Sequence, residues 1–234
     1  ILRFHAIYWP AFLMASNIPL PKRIYGHGWI LSDDKKMSKS LGNILDPIEI
    51  INNFGVDQLR YYLSKEVSLG NDGNISLKNL TDCINNDLAN NYGNLCQRVF
   101  AFINKNCDSK IPTLNKVEKE DKKLNDEIIN SLSDLRSLID NQELNQYLKK
   151  VINISFNANK YFNDQKPWSL KEKNPERMNT ILYTILNQIR SISILLNPII
   201  PIATEKVLST LSIEMTSINL ESLKNIKILK PGSK

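Results

Sequence analysis

The run "PERMNTILYTILNQIRSISILL", residues 175–196, constrains the fold more than any other stretch. Met178, Ile181, Leu182, Ile185, Ile189 and Ile192 recur at the three- and four-residue steps of an amphipathic helix. Pro175 suits a helix start, "NPIIP" stops that helix, and Ala203, Val207 and Leu211 carry another. The same period runs through Leu80, Ile84, Leu88, Leu95, Val99 and Phe102, then through Leu144, Leu148, Val151 and Ile152. No repeat of fixed length is visible. Stripes of this kind are buried by packing helix on helix, so a helical bundle is expected over 76–234. "KVEKEDKK" reads as a charged surface connection within it.

The first 75 residues read differently. Residues 1–43 are rich in aromatics and Pro/Gly punctuation, and hold both histidines, His5 and His27. "FHAIYWPAFLMA" reads as a helix weakened at Pro10, and "KRIYGHGWILSD" as a strand and turn. That alternation suggests an α/β unit. Residues 44–75 read as two short connecting helices. Asp46 can cap the first, Pro47 fits its first position and Gly55 supplies the stop. Ile48, Ile51 and Phe54 then share one side. The second helix carries Leu59, Tyr62, Leu63 and Val67, and "GNDGN" closes it as a turn.

Composition narrows the function classes. With 42% hydrophobic and 23% charged residues, wholesale disorder is excluded. A net charge of +6 and a pI of about 9.1 admit an anionic partner, nucleic acid or nucleotide, without requiring one. Cys83, Cys96 and Cys107 are widely spaced, with no Cys-x-x-Cys pair and no histidine near them in sequence. This argues against zinc and for reduced thiols in a cytosolic protein. No apolar run reaches membrane-spanning length. The opening "ILRFHAIYWPAFLMA" carries Arg3, His5 and Pro10 and has no basic leader, unlike a secretory signal. It reads as the middle of a fold, so a piece of a longer protein is expected.

The stretch "DDKKMSKSLGN", Asp33 to Asn43, concentrates cations and hydroxyls. Lysines supply mobile positive charge and serines supply donors, which suits a phosphate chain developing negative charge. On residue types alone a solvated basic loop fits better, and the Walker pattern is absent. Order adds more: Lys36, Met37, Ser38, Lys39 and Ser40 followed by "LGN" match the second signature of class I aminoacyl-tRNA synthetases. The loop follows "HGWILSD" and precedes "ILDPIEIINNFGVDQLRYYL", an arrangement that resembles the class I pattern. "ILRFHAIYWPAFLMASNIPLPKRIYGHGW", "NDGNISLKNLTDCINNDLANNYGNLCQR" and "YFNDQKPW" resemble the methionyl-tRNA synthetase family, and the likeness covers nearly the whole chain.

The resemblance implies a mostly α fold in three zones. Residues 1–43 would be the C-terminal part of a Rossmann-like catalytic domain, 44–75 the stem-contact connection, and 76–234 a helical anticodon-binding domain. The implied activity is ATP- and Mg2+-dependent activation of methionine and its transfer to tRNA(Met), with no membrane partner and no metal site in this portion. Lys36, Met37, Ser38, Lys39 and Ser40 would act on ATP phosphates, Lys39 foremost. Ile1, His5 and Trp9 would wall the methionine side chain; by itself, His5 reads more readily as a core histidine bonded to the backbone. His27 is placed on the nucleotide side, with a structural role equally open. Asn94 and Arg98, four apart on one helical face, would recognise anticodon bases with Asn163 and Trp168. An acidic residue is more usual at the Asn163 position. Trp168 would be the stacking platform.

The first class I signature is not in these 234 residues, so this portion alone is expected to be inactive. Two other readings are a free-standing tRNA-binding module and a synthetase of the Leu/Ile/Val/Cys group. The first leaves residues 1–43 without purpose; His5, Trp9 and "QKPW" speak against the second. The sequence fixes no oligomeric state.

Overall fold

A computed structural model describes residues 1–32, 34–38, 40 and 43–233. Its larger part is a helical bundle built from α6 (Lys119–Asp140), α7 (Leu144–Gln165), α8 (Pro175–Leu196) and α9 (Pro201–Thr210), each packed on the next. The periodic run that opened the sequence reading is the central helix. Asn174 caps α8 through Arg177 N, and nearly every residue from Arg177 to Leu196 is buried. Leu182, Ile185 and Ile189 are fully enclosed, each stabilising the fold by roughly 1.5–3 kcal/mol relative to exposure.

The charged "KVEKEDKK" run is not simply a surface connection. The helix begins within it, at Lys119, after a reciprocal capping box between Glu118 and Asp121. Asp121 is completely buried. A run of charges reads as solvated, and only the tertiary fold shows that one of them points inward.

Preceding the four helices, α4 (Leu77–Cys83) widens into a π-helical stretch, Ile84–Gly93, before α5 (Asn94–Asn106). The connection before it comprises α2 (Pro47–Phe54) and α3 (Val56–Glu66). Asp46 caps α2 through Ile48 N, and Gly55, at φ +101°, makes the break that a β-carbon would strain. The buried residue of α2 is Ile50, not Ile48, which is 61% exposed. Ile51 and Phe54, expected on the same side as Ile48, do pack against the core, so the apolar face is turned toward Ile50 and only Ile48 falls outside it. α3 packs on α7 through a face that buries Tyr61 and Tyr62, and polar contacts also tie it to the bundle. Asp57 accepts from Ala203 N in the first turn of α9 at 2.8 Å, and Arg60 donates to the carbonyls of Pro198 and Ile199 beyond α8.

The amino-terminal region holds a π-helical turn, Phe4–Tyr8, running into α1 (Trp9–Ala15), and a three-stranded sheet. The strand expected over "KRIYGHGWILSD" is confined to β1 (Ile30–Ser32), antiparallel to β2 (Lys35–Lys36). β3 (Gly73–Ile75) lies parallel to β1, so "GNDGN" ends in a strand that the turn reading did not anticipate. Gly28 is needed where this edge forms, since a β-carbon there would lie 2.3 Å from the Asn71 carbonyl. No residue of the first helix is buried, and Phe4, Phe12 and Met14 are each more than 60% exposed. The cysteines are free thiols; burial pushes Cys83 and Cys96 up to about 12.

Candidate nucleic-acid interface

Residues from two separated parts of the sequence converge on the exposed junction of α5 and α7. Arg98 donates from Nη2 to Asn163 Oδ1 at 2.6 Å, and its Cζ stands 5.4 Å from the centroid of Phe162. As a neutral acceptor, Asn163 orients the guanidinium without cancelling its charge. Phe162 is itself buried, and it also meets Trp168 edge to face, centroids 5.8 Å apart at 77°. Trp168 remains 47% exposed. A cation and an indole thus contact one buried ring, the first able to hydrogen-bond an unpaired base and the second to stack on one. Asn94 lines the same groove as Arg98 and Asn163.

Local structure explains how Trp168 comes to stand there. α7 ends at Lys166 in a left-handed conformation, φ 44° and ψ 59°, and a single 3-10 turn, Pro167–Ser169, follows. Ser169 closes the turn by donating from both its amide and its hydroxyl to the Lys166 carbonyl. Beneath the turn, Arg177 pairs with Asp121 through two bonds of 2.5 and 2.9 Å and donates to Gln165 Oε1. Tyr161 donates to Asp121 as well. Burial pushes the Asp121 carboxyl up, but the bonds from Arg177 and Tyr161 outweigh it and hold the group below the usual carboxylate range. The pair fixes the ends of α6, α7 and α8 where the Trp168 turn is attached.

A second constellation lies in the amino-terminal region. Ile1, His5 and Trp9 line one cavity of about 630 Å³, and His27 lines the same cavity from the segment before β1. His5 Nδ1 is 3.1 Å from the Ile1 carbonyl, so that nitrogen carries the proton and, in the neutral ring, Nε2 is an acceptor. His27 makes the corresponding contact with the Gly28 carbonyl at 2.9 Å.

Within the basic loop, Lys36 on β2 lies over the Trp29 ring, 4.3 Å from its centroid. Met37 packs against the core, while Asn43 Oδ1 accepts from Ser38 N. The Ser38 and Ser40 hydroxyls bond each other at 2.7 Å. Lys39 lies outside the described residues. Among the described residues no group of three or more His, Cys, Asp or Glu is placed to hold a metal, and no helix is long and apolar enough to cross a membrane.

Residues 111–234, more than half of the chain, match the family described as the anticodon binding domain of methionyl tRNA ligase. The chain belongs to the methionyl-tRNA synthetase family. Residues 1–100 match the class I tRNA synthetases of the methionine group. A methionine–tRNA ligase from Rickettsia felis is 45% identical over 237 aligned positions, covering all of this chain and 46% of the relative. One from Brucella suis is 42% identical over 213 positions, covering 91% of this chain and 41% of the relative. Among solved structures, Mycobacterium tuberculosis methionyl-tRNA synthetase in complex with methionyl-adenylate superposes with a TM-score of 0.91 at 36% identity. That match covers the whole chain and 46% of the other. The chain thus spans about half the length of the family members it matches.

Family membership accounts for the helical bundle and the partial α/β unit. Sequence reasoning passed over Phe162, which on a helix reads as core, although it sits inside the quoted "YFNDQKPW". It also missed Asp121 and Arg177, whose pairing across 56 positions has no local signal.

Proposed function

We propose that this chain is the tRNA-reading portion of a methionine–tRNA ligase, with the anticodon recognised at Asn94, Arg98, Asn163 and Trp168. The observation that carries the proposal is the shared contact of Arg98 and the exposed Trp168 with the buried Phe162 ring. Residues 76–234 would be the anticodon-binding domain and 44–75 the stem-contact connection. Residues 1–43 would complete a Rossmann-like catalytic domain, whose remainder would cover the exposed Phe4, Phe12 and Met14. In that whole enzyme, located in the cytoplasm, Ile1, His5 and Trp9 would wall the methionine pocket, with His27 on its nucleotide side. Lys36 and Lys39 would neutralise the phosphates of ATP, helped by Ser38 and Ser40, with Met37 anchoring the loop. Mg2+ would accompany the nucleotide, and no residue described here is assigned to it.

Binding to tRNA transcripts that differ only in the anticodon, at one salt concentration, tests the reading. The CAU transcript is expected to bind tightest, and Trp168→Ala to lose roughly 1–3 kcal/mol of its affinity. Equal affinity for every anticodon in the unaltered chain would overturn the assignment.

A further inference from the structure

The groove beside Arg98 extends well past Asn163. Its cavity of about 650 Å³ continues along α7 to Lys149 and reaches Lys65 on α3. Phe156 lines it and is 61% exposed, on a helix that buries Tyr161 and Phe162. Lys149, Asn153, Phe156 and Asn163 follow one another at helical steps and share a face. Phe156 precedes Asn163 by two turns, about 10 Å along the axis.

Below this face, Asn159 donates to Asn91 Oδ1 at 3.0 Å and to the Asn91 carbonyl, while Ser155 also donates to Asn91 Oδ1. The floor is therefore cross-linked between α7 and the π-helical stretch. Within the described residues the side chains of Asn94 and Asn153 have no hydrogen-bond partner. Isolated surface phenylalanines are ordinary. This one stands between a lysine and free amides, in the same groove as Arg98.

We propose that Phe156 is a second stacking platform for the RNA loop, with Lys149 on the adjacent phosphate. This rests on the anticodon reading of the Arg98–Trp168 site and lengthens it. At about 3.4 Å per stacked base, 10 Å separates the base on Phe156 from the one beside Asn163 by about three nucleotides. A ring stacks on any base, so Phe156 adds affinity without selecting sequence.

The test compares dissociation constants for a CAU transcript and a transcript with another anticodon, using the chain unaltered and as Phe156→Ala, Phe156→Tyr and Lys149→Ala. Phe156→Ala is expected to weaken both RNAs roughly tenfold and to keep their ratio. Phe156→Tyr should restore the affinity. Lys149→Ala should lower the slope of log affinity against log salt by about 0.7. Unchanged affinity in Phe156→Ala, with CAU still preferred, overturns the platform and leaves the anticodon reading standing. A loss confined to one anticodon also overturns it, because the ring would then be selecting a base. Absence of any CAU preference in the unaltered chain instead strikes the anticodon reading.

Discussion

Asp121 is fully buried, yet it remains charged because Arg177 meets both its oxygens. Its carboxyl is depressed in the folded chain, so its contribution to stability is present above the unfolded value and is lost as pH falls through the folded value. That window opens below about pH 3.9. Asp121→Asn, which strands the Arg177 cation, is expected to cost about 3–5 kcal/mol at pH 7. Urea unfolding at pH 7 and in acid should show the difference between variant and wild type narrowing as pH drops below about 4. An equal difference at both would contradict the pairing. Asp121 and Arg177 were illegible in the sequence, since two charges 56 positions apart look like any other surface pair. Asn94 and Arg98 were legible as neighbours, because helical spacing alone puts them on one face. The sequence also showed Trp168 beside Pro167, but the buried ring that supports it is a product of packing.

The long helices were legible because their apolar period persists for many turns. Short elements were not. A strand of three residues such as β3 exists through its pairing with β1, and the Gly-Asn-Asp-Gly run that leads into it carries turn chemistry. In α2 the pattern correctly placed Ile51 and Phe54 toward the core, while tertiary contact buried Ile50 in place of Ile48. Beyond its packing on α7, α3 is held by the complementary contacts of Asp57 with the first turn of α9 and Arg60 with the carbonyls after α8. Arg60 is exposed, so Arg60→Ala is expected to cost only about 1 kcal/mol. Hydrogen exchange should locate that loss in α3, whose amides exchange faster while those of α7 and α8 keep their protection. Protection unchanged in α3, or lost evenly throughout, would show that the contacts do not hold the helix to the bundle.

At the scale of the molecule, the chain joins two surfaces of different character. The bundle carries a polar groove lined by the exposed Phe156, and the amino-terminal helix carries apolar side chains left open to solvent. Both surfaces belong to a family whose members are about twice this length. The sequence revealed the pairing of a class I loop with a helical domain because its motifs are contiguous. It could not reveal the common ring beneath Arg98 and Trp168, which joins segments 70 positions apart.

We propose that the Phe162 ring couples the two side chains into a single reader. A double-mutant cycle of Arg98→Ala and Trp168→Ala, scored by the ratio of CAU to non-CAU affinity, tests it most directly. Each single change is expected to remove most of the preference, and the double change to remove little more. A CAU preference that survives both changes intact would contradict the account.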